Sequence, residues 1–232
     1  MERRPKPSFE GGVSSAVKAV VFDCDGVLVE SEKAWFVGIV NVFERRGIHE
    51  LVTGPASDLY GASVADVVAF LERELGQPLD RQAAIQEVYD AIIEAINEGV
   101  VAIDGAIDLL EQIRGTRPLA VASNGSRETV EASMRAASIP FVFDAIVAYK
   151  PPLRPKPEPD LYLRACGLLA VDPSGAIAVE DSIPGARAAR AAGLTVVGLG
   201  TSEALRATAD VVVPSLLDPG LLDLLGIGPG RP

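Results

Sequence analysis

The strongest constraint on this chain is a set of short apolar runs that never alternate with polar residues. Ala19-Val20-Val21-Phe22, Leu119-Ala120-Val121-Ala122, Ala145-Ile146-Val147, Ala176-Ile177-Ala178-Val179 and Leu194-Thr195-Val196-Val197 are of this kind, and each gives way to polar or turn residues. A strand with one wet face alternates, whereas a run apolar at every position suits a strand covered on both sides, as in a parallel sheet. Helical patterns lie between the runs, at Ala106 to Arg114, Arg127 to Ala137, Asp160 to Gly167 and Pro184 to Ala192. This alternation implies a doubly wound α/β sheet.

Residues 31–100 break the pattern. They read as helices at Glu32 to Arg46, Ser63 to Leu75 and Leu79 to Asn97, punctuated by Gly47, Gly54-Pro55, Gly61, Gly76 and Pro78. That is too much helix for one crossover, so the expectation is an all-helical cap domain over residues 31–100. It is inserted into a discontinuous core formed by residues 17–30 and 101–232. Residues 1–16 read as a flexible tail, because their charges are not followed by the apolar stretch of a signal peptide. Leu216 to Leu225 is a short apolar helix candidate, with the residues beyond it frayed.

Charge and rare residues narrow the chemistry. With 32 acidic against 21 basic residues the net charge is −11, which argues against a nucleic-acid or anionic membrane partner. One histidine and two cysteines exclude a Cys₄ or Cys₂His₂ zinc site. No run approaches the roughly 18 apolar residues of a membrane span, so a cytoplasmic protein, monomer or homodimer, with reduced thiols is expected. His49 reads as a surface residue, and Cys24 and Cys166 as core residues.

In a parallel sheet the loops after the strands converge on one crevice. The first run ends in Asp23-Cys24-Asp25-Gly26 and the second in Ser123-Asn124-Gly125-Ser126. The third is followed by Lys150, Arg154 and Lys156 among prolines, then by Glu158-Pro159-Asp160, where Asp160 reads as a helix cap. The fourth ends in Glu180-Asp181-Ser182. Clustered carboxylates repel unless a proton or cation intervenes, and oxygen ligands suit a hard cation such as Mg²⁺. Small polar residues at a helix start and a lysine suit an anion. Together they ask for a phosphoryl group.

These segments resemble the motifs of the haloacid dehalogenase superfamily. Phe22-Asp23-Cys24-Asp25-Gly26-Val27-Leu28-Val29 is similar to its first motif and Val121-Ala122-Ser123-Asn124 to its second. Lys156-Pro157-Glu158-Pro159-Asp160 is similar to its lysine motif, and Glu180-Asp181-Ser182, with Gly185 and the alanine-rich run to Gly193, to its fourth. The likeness covers residues 17–213, and the insert resembles the cap of the subfamily that holds β-phosphoglucomutase and small-metabolite phosphatases.

The resemblance implies a Rossmann-like core and a division of labour. Asp23 attacks phosphorus; Asp25 protonates the leaving oxygen and later deprotonates water. Asp23, Asp25 (through its carbonyl), Asp181 and Glu180 serve a Mg²⁺ ion, while Ser123, Asn124 and Lys156 hold the phosphoryl oxygens. Ser31 and Trp35 are assigned to the substrate pocket. Trp35 stands where the mutase pattern has a histidine, and Val64, after Gly61-Ala62-Ser63, stands where an arginine would bind a second phosphate. Pro155 replaces a usual glycine, and Tyr149-Lys150-Pro151-Pro152 a usually acidic stretch. The expected activity is therefore Mg²⁺-dependent hydrolysis of a small phosphorylated metabolite, with a sugar phosphomutase, a dehalogenase and a silent metabolite-binding protein as rivals.

Overall fold

The computed structural model describes residues 17–49 and 63–227. In chain order it begins with β1 (Ala19–Phe22), β2 (Val29–Glu30), α1 (Glu32–Arg45), α2 (Val64–Leu75) and α3 (Arg81–Gly99). There follow β3 (Val101–Ala102), α4 (Ala106–Ile113), β4 (Leu119–Ser123), α5 (Arg127–Ala136) and β5 (Ala145–Ala148). The rest is α6 (Asp160–Leu168), β6 (Ala176–Glu180), α7 (Ile183–Ala192), β7 (Thr195–Leu199), α8 (Glu203–Thr208), β8 (Val211–Val213) and α9 (Pro219–Leu224).

Six strands form one parallel sheet in the order β5-β4-β1-β6-β7-β8. The chain moves outward from β1 to β4 and β5, then crosses back to lay β6 on the other side of β1. The carboxyl ends of β1 and its neighbours therefore flank the point where the winding reverses, where such sheets open a crevice.

The absence of alternation in the runs has a simple cause. Alternate residues do face opposite ways, but both faces are apolar. Val20 and Phe22 join Val121, Ile177 and Val179 in one cluster, which continues without a break into residues of α1, α2 and α3. Ala19 and Val21 join Ala120, Ala122, Ala176 and Ala178 in the other, against Ala186 and Ala189 of α7 and Tyr162 of α6. Small side chains on both partners let this second layer of helices lie close to the sheet.

The helical layer is held by specific local chemistry. Ser63 and Asp66 form a reciprocal capping box at the start of α2, and Gly76 ends that helix in the left-handed region. The Asp80 side chain caps α3 by accepting from Gln82 and Ala83 N–H. α1 crosses α3 so tightly at Gly38 that a Cβ there would stand 2.5 Å from the Ile92 Cα. The chain leaves for this layer along β2 and returns along β3, and these two pair antiparallel, Val29 with Ala102 and Glu30 with Val101.

Several boundaries differ from the sequence reading. Ser63 and Asp80 are caps, so α2 and α3 start one and two residues later than the apolar pattern suggests. Leu194 precedes β7, because Gly193 at the end of α7 is left-handed and the strand begins only after that turn. The C-terminal helix narrows to α9, started by the Asp218 side chain with Pro219 in its first turn. Asp160 does not cap α6; it lies inside the first turn and accepts from the main-chain N–H and guanidinium of Arg154. The readings made at residues 1–16, at Gly54-Pro55 and Gly61-Ala62, and at residues 228–232 lie outside the described residues. Among those described, no helix is long and apolar enough to cross a membrane.

Candidate active site

The turn after β1 places two aspartates in different surroundings. Gly26 adopts a φ of +78°, and the N–H groups of Leu28 and Val29 both donate to the Cys24 carbonyl, folding the loop back on itself. A Cβ on Gly26 would come within 2.0 Å of Asp181 Oδ2, so glycine serves both the backbone conformation and the approach of the β6 loop. Asp23 is buried; its Oδ1 accepts from Cys24 N–H at 2.7 Å and pairs with Lys156 Nζ at 2.8 Å. Asp25 instead accepts from the Ser31 hydroxyl on one oxygen and from Ser123 Oγ, at 3.3 Å, on the other.

β4 brings Ser123 to the same place. Its Oγ also accepts from Gly125 N–H at 3.0 Å, which orients the buried hydroxyl toward Asp25. The Asn124 side chain is turned elsewhere: Oδ1 accepts from Lys156 N–H at 2.8 Å and Nδ2 donates to the Lys156 carbonyl at 3.4 Å. Its amide thus pins the lysine loop, and contact with a phosphate would fall to its main chain. Ser126 caps α5 by accepting from Thr129 N–H at 3.2 Å.

Lys156 is the central cation. Burial disfavours its charge, yet Asp23 and Glu180 more than offset this and hold its proton more tightly than an ordinary lysine. Glu180, at the end of β6, is fully buried, and its Oε1 accepts from Lys156 Nζ at 2.6 Å and from the Tyr162 hydroxyl at 2.5 Å. Its Oε2 accepts from Ser182 Oγ at 3.1 Å. Arg154 adds little positive potential, because its guanidinium is paired with Asp160 at 2.7 Å and Glu158 at 2.9 Å. The expected positive loop therefore contributes Lys156 within the site and Lys150 at its exposed edge.

Asp23, Glu180 and Asp181 each bring a carboxylate oxygen within 4.8 Å of the others. One lysine does not balance them. Burial first, then Glu180, lifts the Asp23 carboxyl well above the usual range, and the same two causes push Asp181 up to about 6. A group of hard oxygen donors short of positive charge fits a divalent cation such as Mg²⁺.

The two residues expected at the substrate pocket lie at the N-cap and in the first turn of α1. Ser31 is fully buried against Asp25, and Trp35, one turn further on, is half-buried against the large apolar cluster. Val64 is buried in that same cluster, so its position offers no cation to a substrate. His49 is exposed, and both cysteines are buried and free. One contributor was not singled out from sequence, and another was marked there only by its place in a motif. Tyr162 looks like any core aromatic, and only the fold shows its hydroxyl reaching Glu180. Gly185 belongs to the segment that resembles the fourth motif, and the structure supplies the reason: a Cβ there would stand 1.9 Å from Glu180 Oε1, so its absence makes room for the buried carboxylate.

The sequence matches the haloacid dehalogenase-like hydrolase family over residues 20–199. It is 33% identical over 216 residues to validoxylamine A 7'-phosphate phosphatase of Streptomyces hygroscopicus subsp. limoneus, covering 87% of this chain and 95% of that protein. It is 31% identical to 6-phosphogluconate phosphatase of Escherichia coli (strain K12), over 78% of this chain and 82% of the relative. Among solved structures, CbbY from Rhodobacter sphaeroides in complex with xylulose-(1,5)bisphosphate superposes with a TM-score of 0.74 at 28% identity, over 90% of this chain and 99% of the other. Both of these relatives are named phosphatases, and the chain belongs to the haloacid dehalogenase-like hydrolases.

Proposed function

We propose that this protein hydrolyses small phosphomonoesters of sugar-like metabolites by Mg²⁺-dependent transfer of the phosphoryl group to Asp23 and then to water. The observation that carries this reading is the contrast between its two aspartates. Asp23 has one oxygen fixed by Lys156 and Cys24 N–H, while the other accepts no hydrogen bond from the described residues. That oxygen is available to attack phosphorus. Among the described residues the Asp25 carboxylate hydrogen-bonds to hydroxyls alone, those of Ser31 and Ser123, and is not tied to the lysine, which suits it to pass a proton to and from the reacting oxygens.

In the first step Asp23 forms the new P–O bond as the ester P–O bond breaks, and the departing alkoxide takes the proton of Asp25. In the second step Asp25 removes a proton from water as the water oxygen bonds to phosphorus and the P–O bond to Asp23 breaks, which releases phosphate and restores the Asp23 carboxylate. Ser123 Oγ, the main chain at Asn124 and Lys156 Nζ hold the phosphoryl oxygens as charge develops on them. Asp23, Asp181 and the Asp25 carbonyl would hold Mg²⁺, with Glu180 beside them. The bound ion supplies charge neutralisation for the carboxylates and for the incoming phosphate.

The relatives named for validoxylamine A 7'-phosphate and 6-phosphogluconate support a phosphorylated, sugar-like substrate. Residues 31–100 serve as a cap over the core of residues 17–30 and 101–232. Its closure excludes water from the first step and brings Trp35 toward the substrate. Trp35 and the buried Val64 leave no cationic or histidine side chain at the two positions a mutase uses, which supports hydrolysis over phosphoryl exchange.

The test is phosphate release from a panel of phosphorylated metabolites, with Mg²⁺ and with a chelator, for the wild type and Asp23→Asn. Release that needs the metal and disappears in the variant is expected. Release that survives either change overturns the mechanism, and isomerisation of a sugar phosphate without release overturns the reaction class.

A further inference from the structure

Three carboxylates lie within reach of one cation, yet one of them is already engaged. Both oxygens of Glu180 are occupied, Oε1 by Lys156 Nζ and the Tyr162 hydroxyl, Oε2 by Ser182 Oγ. We propose that Tyr162 sets the metal selectivity of the site by keeping Glu180 turned toward Lys156 and out of the coordination sphere. The inference rests on the phosphohydrolase reading above for the role of the acidic cluster.

Tyr162 is fully buried on α6, with Lys156 Nζ 5.3 Å from the centre of its ring. Its hydroxyl has Glu180 Oε1 as its acceptor. If Glu180 swung to a metal, the hydroxyl would be left without that acceptor in a cluster made otherwise of alanine, leucine, valine and Cys166, and Lys156 would lose one of its two carboxylates. The missing Cβ of Gly185 opens the space in which the engaged carboxylate sits. The site thus presents Asp23 and Asp181 as its side-chain ligands. Mg²⁺ is satisfied by one or two carboxylates with water and substrate oxygens completing an octahedron, whereas Ca²⁺ takes six to eight oxygens and gains from a third carboxylate. Tyr162 holds the ligand count where Mg²⁺ is favoured.

The measurement is calorimetric binding of Mg²⁺ and of Ca²⁺ to the chelator-stripped full chain. Tyr162→Phe is expected to raise Ca²⁺ affinity relative to Mg²⁺ by about tenfold, the lower end of what changes to the residues that orient a metal's carboxylates do. In Tyr162→Phe/Glu180→Gln the ratio returns to that of the wild type. Ser182→Ala, which frees the other oxygen from the exposed side of the site, shifts the ratio in the same direction and stands in if Tyr162→Phe does not fold. A ratio unchanged in the folded single variants overturns the proposal, as does a shift that persists without the Glu180 charge. A lost packing contact would weaken both ions together. Because binding is read at equilibrium, a selectivity shift without any phosphate release would remove the hydrolase reading and leave this inference standing.

Discussion

Asp23 and Asp25 are two positions apart, and the residue between them reports on both. Cys24 is fully buried; burial first, then Asp25 and Asp23, pushes its thiol well above the usual range. Thiolate is the reactive form, so Cys24 should stay unmodified by a thiol-directed reagent in the native protein and react only on unfolding. Rapid native labelling would mean the crevice floor is open. Asp25→Asn removes the proton carrier without disturbing the Lys156 network, and should lower phosphate release from alkyl phosphates by about 10²- to 10⁴-fold. An equal rate in that variant would assign the acid elsewhere. Gly185→Ala drives a methyl group into the Glu180 carboxylate and should cost about 1–3 kcal/mol in urea unfolding, the usual penalty of overpacking. The motif after Glu180-Asp181-Ser182 marks this glycine in the sequence, but its contact with the Glu180 carboxylate emerges only when α7 is folded back on the end of β6.

The helices and strands whose residues repeat a pattern were legible, and those too short to repeat one were not. β2 and β3 have two residues each and the edge strand β8 has three, so neither alternation nor an apolar run can announce them. The charges of Arg154 and Asp160 were visible, but their pairing was not, since a loop must bend to bring them together. Motif positions fared better than roles: strand ends located Asp23, Ser123, Lys156 and Glu180 in one crevice, while the Asn124 amide proved to clamp the Lys156 backbone. Two glycines of the helical layer offer a test of packing at this scale. Gly38→Ala would force α1 off α3 and should cost about 1–3 kcal/mol. Gly99→Ala, at the exposed end of α3 with nothing within 4 Å, should add about 0.4–1 kcal/mol by restricting the unfolded chain. Equal effects of the two would mean that the close crossing does not hold the layer.

For the molecule as a whole, the acidic surplus matters most where it is concentrated. The Asp181 carboxyl is pushed up to about 6 by burial and by Glu180, so the folded chain holds this proton more tightly than the unfolded one. The group favours the fold at low pH, and that contribution is lost as pH rises from about 4 through about 6. The metal-free protein should therefore lose thermal stability between about pH 4 and about pH 6, with Asp181→Asn flattening the trend. Mg²⁺ should raise the midpoint more at about pH 7 than at about pH 5, because at the lower pH it must displace protons. A thermal shift independent of pH would separate the cluster from the metal. The pairing of β2 with β3 carries a different implication. Glu30 and Val101 are partners across a ladder, so the chain departs for the helical layer and comes back at neighbouring points. The strands keep their register through β2 and β3, yet a segment grafted there in place of α1, α2 and α3 would have to cover the apolar cluster that runs from the sheet into those helices and refill the face of α5 on which α3 packs.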